Sequence, residues 1–254
     1  MDTSDLANRM KEYEKRNQYY LQKRTPVAIR VDGRSFHTFT KGFKRPFDNV
    51  LIKTMQETAK YMCENMGNAK FAYVQSDEIT IILVDYDTLE TDCWFNYRTD
   101  KLCSISASMA TMAFNKFFEN NAENYIQNCA TDYETDGLYG KDTPEYQLCE
   151  IYQKAVNKGA MFDARCFNIP KEEVTNLVYW RQLDASRNSI QMVGQANFSH
   201  KELQHKSCNN IQDMLMTQKG INWNDLPTYQ KRGSCCVRNK IIIKSDDVME
   251  TAQL

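Results

Sequence analysis

Between residues 26 and 170 the chain alternates short β-branched runs with long stretches of helical period, and this order constrains the fold more than any other feature. Val27, Ile29 and Val31 alternate with Ala28 and Arg30, and the run stops at Asp32-Gly33, as a strand entering a turn does. Asp48 is placed to cap a helix in which Leu51, Met55, Ala59, Met62 and Met66 share one face before Gly67 ends it. Residues 71–74 and 79–84 read as strands joined by the polar Gln75-Ser76-Asp77-Glu78. A second helix is expected over 99–118 and a fourth strand over 162–169, closed by Pro170. The acidic stretch 119–150 reads as a loop or insertion. The order β-α-β-β-α-β is the ferredoxin-like α+β plan, an antiparallel four-stranded sheet with two helices on one face. The expected division is a domain over 1–169, with a helix at 4–24, and a mostly helical region over 170–254.

With 254 residues, 42 % of them apolar, the chain can bury a proper core. The longest apolar stretch, 79–84, is far short of the ~20 residues that a membrane helix needs. Met1-Asp2-Thr3-Ser4-Asp5 has no apolar leader core, and nine cysteines without a C-x-x-C pair fit a reduced, cytoplasmic setting. Net charge is −1, but unevenly spread: residues 9–45 carry a balance of +8, residues 201–244 one of +5, and residues 119–150 one of −7. Two basic stretches meeting on one face would bind a polyanion; the alternative is solvated helix surface.

The chemistry is carried by acids at strand ends. In a ferredoxin-like sheet the first and third strands are neighbours, so Asp32 and Asp77 should converge across 45 residues of sequence. Asp-Gly after a strand and Ser-Asp-Glu in a hairpin are each ordinary turn chemistry when taken separately. Together they make two carboxylates that repel unless a cation lies between them, and Mg²⁺ suits such oxygen ligands. Two such ions can clamp the attacking and leaving oxygens of a phosphoryl transfer. Gly33 allows close backbone approach and offers a carbonyl to a metal, and the amides of 33–37 can cradle a triphosphate. Arg30, Arg34, Lys41, Lys44 and Arg45 add positive charge, and Phe36, Phe43 and Phe47 offer faces for a base. His37, His200 and His205 make no convincing zinc site, and no cysteine has a base beside it in sequence.

Ile29-Arg30-Val31-Asp32-Gly33-Arg34-Ser35-Phe36-His37, Arg45-Pro46-Phe47-Asp48 and Gln75-Ser76-Asp77-Glu78 resemble the tRNA-His guanylyltransferase family. Phe162-Asp163-Ala164-Arg165, Tyr179-Trp180-Arg181-Gln182 and Tyr229-Gln230-Lys231-Arg232-Gly233-Ser234 continue the resemblance in order. It implies a palm-like catalytic domain and 3′-to-5′ nucleotide addition: ATP adenylylates a tRNA 5′-monophosphate, then the 3′-hydroxyl of an incoming NTP, such as GTP, attacks it. The resemblance assigns Asp32, Asp77 and the Gly33 carbonyl to two Mg²⁺ ions, and Asp32, Asp77 and Glu78 to catalysis, Glu78 as a supporting partner. It assigns Asp32, Gly33, Arg34, Ser35, Phe36, His37, Arg45, Asp48, Ser76 and Asp77 to the nucleotide, with Arg98 and Lys101 near the activating nucleotide. Arg45 stands where the family has lysine. Arg30, Lys231 and Arg232 are assigned to tRNA. The family is typically homotetrameric. Where its eukaryotic members carry HINNLYN, residues 186–192 read Ser-Arg-Asn-Ser-Ile-Gln-Met, which resembles the bacterial and archaeal branch that repairs 5′-truncated tRNA against a template.

Two other readings share these residues. A nucleotidyl cyclase uses the same palm and paired acids but needs no RNA, which the basic stretches count against. A non-catalytic RNA-binding module would leave Asp32, Asp77 and Glu78 purely structural.

Overall fold

The computed structural model describes residues 4–136, 143–238, 240–245 and 248–253. Helix α1 (Asp5–Lys15) precedes strand β1 (Val27–Gly33), the short α2 (Phe36–Phe39) and the long α3 (Asn49–Asn65). Strands β2 (Ala69–Gln75) and β3 (Glu78–Leu83) form a hairpin, followed by α4 (Thr99–Asp136), α5 (Pro144–Lys158) and β4 (Phe162–Asn168). The chain continues through α6 (Val174–Asn197), α7 (His200–Leu203), α8 (Cys208–Lys219) and α9 (Thr228–Arg232) to strands β5 (Ser234–Val237), β6 (Lys240–Ser245) and β7 (Val248–Gln253).

The main sheet has the order β4-β1-β3-β2-β5 and every pairing is antiparallel. Its first four strands are the expected ferredoxin-like plan, with β1 beside β3, and the fold is palm-like. Val27, Ile29 and Val31 of β1 and Ile79, Ile81 and Leu83 of β3 point into one core, where α3 contributes Met55, Ala59 and Met62 and α4 contributes Leu102 and Phe114. The alternate residues Ala28 and Ile82 face the other way and pack against Leu177 of α6. Both faces of the central strands are therefore covered, and β3 is buried along its whole length.

Two expectations are corrected. The acidic stretch is not a loop: α4 runs on to Asp136 and α5 starts at Pro144, capped by the Thr143 hydroxyl. Glu119 and Glu123 lie on the solvent side while Phe118, Ala122 and Tyr125 continue the inward stripe, Tyr125 meeting Tyr152 of α5 at 5.3 Å between ring centres. The loop expected across residues 137–142 lies outside the described residues. Within residues 170–254, beside α6 to α9, the structure adds strands that the sequence did not suggest: β5 extends the main sheet beside β2, and β6 pairs with β7. A four-residue strand is too short to show a period. Gly233 admits it: φ is +76° there, and a Cβ would stand 2.5 Å from the Val74 carbonyl oxygen. The first helix ends at Lys15 rather than near 24; farther on, Tyr20 bridges to Arg98 and the Leu21 amide donates to the Tyr97 carbonyl at 2.9 Å. Among the described residues no helix is long and apolar enough to cross a membrane.

Candidate active site

Asp32 ends β1, and the β2–β3 hairpin turns tightly through Ser76 and Asp77 between the paired Gln75 and Glu78. The Gly33 amide donates to the Asp77 carbonyl at 3.1 Å, which stitches the hairpin tip to the end of β1. Gly33 is required by crowding: a Cβ there would lie 2.2 Å from the Phe36 ring. Burial pushes the Asp77 carboxyl above the ordinary aspartate range; the Ser76 hydroxyl, donating at 3.0 Å, opposes this, while the nearby Asp32 and Glu78 charges add to it. Asp32 is about half exposed, at 42 %, and its nearest counter-charge is the Arg165 guanidinium at 3.8 Å.

Asp77, but not Asp32 itself, opens onto a cavity of 610 Å³ whose lining includes Gly33, Ser35, His37, Lys41, Lys44, Arg45 and Ser76, with Met192 and Gln195 of α6. The side chains of His37, Lys41, Lys44 and Arg45 are exposed to it, a cationic wall facing the carboxylate end. The amide cradle is shorter than the sequence suggested, because Gly33 N–H goes to Asp77 and Arg34 N–H to the Met161 carbonyl at 2.8 Å. The amides of Ser35, Phe36 and His37 open the helical turn α2 and donate to no backbone carbonyl among the described residues.

Several expected site residues sit elsewhere or act differently. The Phe36 and Phe43 rings are buried in an aromatic cluster with Phe39, Phe114, Phe118 and Tyr152, so they offer no face to a base. Asp48 borders the cavity, but its carboxylate accepts from the Leu51 amide at 2.9 Å, the Lys44 amide at 3.0 Å and the Tyr152 hydroxyl at 2.7 Å. It anchors the cationic loop to α3 and has little left for a phosphate. Glu78 is buried and held by Arg181 in two bonds, at 2.7 and 2.8 Å. A carboxylate held this way ties α6 to the sheet. Arg30 lies 3.9 Å from Glu78 and 5.7 Å from the Trp180 ring centre, half-enclosed rather than presented to RNA. Lys231 bonds the Asn224 carbonyl and lies over Trp223, while Arg232 is exposed. Arg34 does not line the cavity. Arg98 pairs with Asp100 at 2.8 Å at the start of α4, and Lys101 follows on the surface, beside the Val27 end of the sheet rather than the Asp32 end.

Sequence reasoning gave no role to Arg165, Asp163, Arg181 or Asp184. Asp163 faces Asp32 in the β1–β4 register and Arg165 lies 3.5 Å from Asp163, so a period-two reading of the motif beside β1 finds both. Arg181 also holds Asp184 at 3.0 Å, but only the packing of α6 on the sheet brings the pair to Glu78. The cysteines are all free thiols, and burial raises Cys63 and Cys149 to about 11 and Cys166 to about 12, values at which a thiol is a poor nucleophile.

A family model for tRNA-His guanylyltransferase matches residues 7–170, more than half of the chain. The chain belongs to the tRNA-His guanylyltransferase family. It is a nucleotidyltransferase. The tRNA(His) guanylyltransferase of Saccharomyces cerevisiae is 27 % identical over 242 residues, which cover 90 % of this chain and 89 % of the yeast protein. An uncharacterised protein of Acanthamoeba polyphaga mimivirus is also 27 % identical, over 96 % of this chain and 80 % of its own. Among solved structures, a bacterial tRNA(His) guanylyltransferase-like protein in complex with ATP is 42 % identical, with a TM-score of 0.74 over 92 % of this chain and 87 % of that one. Another such protein, in complex with GTP, is 35 % identical with a TM-score of 0.71, over 99 % of this chain and 90 % of that one.

Proposed function

We propose that this guanylyltransferase-family protein adds nucleotides in the 3′-to-5′ direction to the 5′ end of tRNA, repairing truncated ends against the opposite strand. The observation that carries this reading is the nearness of Asp32 to Asp77, with Asp77 and the adjoining Gly33 on the wall of a cationic cavity of 610 Å³. In the first step an oxygen of the tRNA 5′-monophosphate attacks the α-phosphorus of ATP; the α–β bond breaks and pyrophosphate leaves. In the second, the 3′-hydroxyl of an incoming NTP attacks the tRNA 5′ phosphorus and AMP leaves. His37, Lys41, Lys44 and Arg45 bind the triphosphate, with the amides of residues 35–37 at its end.

Among the described residues no cage of three or more His, Cys, Asp or Glu is present. The donor set nevertheless fits Mg²⁺, which is held by one or two carboxylates with water and substrate phosphate completing its shell. Burial, with the neighbouring Asp32 and Glu78 charges, raises the Asp77 pKa, so its carboxylate is a group that a cation would stabilise. Asp32, Asp77 and the Gly33 carbonyl would hold the ions, whose charge offsets that of the transferring phosphate. The region 1–169 supplies this chemistry and the region 170–254 contributes to RNA binding, in a homotetramer.

Template selection is supported by residues 186–192, which lack most of the side chains of the HINNLYN segment, leaving base pairing as the selector. The test is competition among the four NTPs on truncated, 5′-monophosphorylated tRNAs that differ only at the templating base. Addition that follows the template is the expected result. A fixed preference for G would show that the protein reads the nucleotide, and a cyclic product made without RNA would give the site to a cyclase.

A further inference from the structure

The nucleotide cavity does not close at α6. Arg45 and Gln195, which line it, also line a second basin of 570 Å³ that runs on between α6 and α7. The rim of this basin carries Arg45, Gln191, Gln195, His200 and Lys206, all exposed, and its floor includes the buried ring of Phe198. No carboxylate lines it. The acid of α7, Glu202, is already engaged: its carboxylate accepts from the Ser199 amide at 2.8 Å and the Ser199 hydroxyl at 2.6 Å. The Lys219 ammonium lies 5.4 Å from the centre of the Phe198 ring, outside the lining of the basin. Arg45 comes from the first basic stretch of the sequence and Lys206 from the second, so the two stretches meet here.

We infer that this second basin holds the RNA backbone next to the end being extended, its phosphodiesters on Lys206 and His200, with Arg45 shared between this basin and the nucleotide cavity. An apolar floor between cationic rims suits a strand whose charge lies on its edges, whereas a triphosphate needs its charges gathered at one end. The inference rests on the proposed tRNA substrate. The same phosphate chemistry has a second possible source, the triphosphate of another nucleotide, and the test separates the two.

The double variant His200→Ala, Lys206→Ala is compared with the wild type on a 5′-monophosphorylated truncated tRNA. Expected are tRNA affinity about ten-fold weaker near 0.1 M salt, a slope of log K against log salt smaller by about 1 to 2, and an unchanged KM for NTP at saturating tRNA. Gln191→Lys, which adds a charge to the same rim, is expected to tighten tRNA binding a few-fold. Unchanged tRNA affinity and slope in both variants would overturn the assignment. A loss that appears in the NTP KM instead would give the basin to a second triphosphate. A wild-type protein that extends no tRNA but binds it through this rim would sink the proposed reaction alone; one that binds no tRNA would sink both.

Discussion

Asp77 and Glu78 are adjacent in sequence and carry the same charge, but they belong to two differently built regions. At the hairpin tip, Asp77 lies near Asp32 with a serine hydroxyl and its own backbone amide, but no cation, to oppose the cost of its burial, and Asp32 has one arginine at 3.8 Å. One residue on, inside the sheet–α6 interface, Glu78 is met by the Arg181 guanidinium in two short bonds, and Arg181 in turn holds Asp184. The hairpin carboxylates are left with charge to spare, while the interface carboxylate is neutralised by the protein itself. An acid at a strand end thus becomes a cation site or a structural tie according to what the tertiary fold places opposite it.

The largest expected effect separates the two regions by activity. Asp32→Ala or Asp77→Ala should lower 5′-nucleotide addition by at least about three orders of magnitude, since cation charge on the phosphate is worth several kcal/mol in the transition state. The melting temperature of either variant should hold or rise, because a repelling charge is removed. Wild-type turnover in either would break the comparison at the hairpin.

The interface should show the reverse pattern. Arg181→Ala strands the buried Glu78 and should cost about 3–5 kcal/mol in urea unfolding. Replacing both, Glu78→Leu with Arg181→Met, should recover most of that loss, because an apolar pair of similar volume avoids stranding a charge. If Arg181→Ala unfolds like the wild type, the tie between α6 and the sheet is not what it looks to be.

Mg²⁺ should stabilise the protein by about 1.4 kcal/mol at ten times its Kd, through binding to the folded state only. Thermal melts of Asp77→Ala should lose this response and melts of Gln56→Ala, a substitution on α3, should keep it. Equal responses would place the cation elsewhere.

The smallest effect is a pH dependence without divalent cations. Because the fold raises the Asp77 pKa, it favours the protonated form, so this contribution is full below the ordinary value of 3.8 and is lost as pH rises through the raised one. The difference in stability between wild type and Asp77→Asn, followed from acid to neutral pH, should therefore shift in favour of the variant as pH rises. A flat difference would mean that the hairpin carboxylate is as well compensated as Glu78.

The β-α-β-β-α-β order, the Asp48 cap and the convergence of Asp32 with Asp77 were legible in sequence, because each follows from local period or from the neighbour rule of one sheet topology. The continuation of α4 was hidden because an acid-rich sequence mimics a loop, and β5 because four residues carry no period. The aromatic residues of the 36–43 loop misled for a related reason: composition reveals an apolar ring but not which side of the chain it turns to. Asn188 to Gln195 gave no sign of lining a cavity, since that depends on where α6 crosses the sheet.

The sequence by itself determined the strands, their order and the acids at their ends, since these rest on side-chain period and on turn chemistry within a few residues. Only the tertiary structure decided which acid keeps its charge for a cation and which is consumed by Arg181. Only it joined Arg45 to Lys206 in one basin. Both outcomes depend on contacts across more than a hundred residues, and electrostatic compensation is a property of the distance between charges in space.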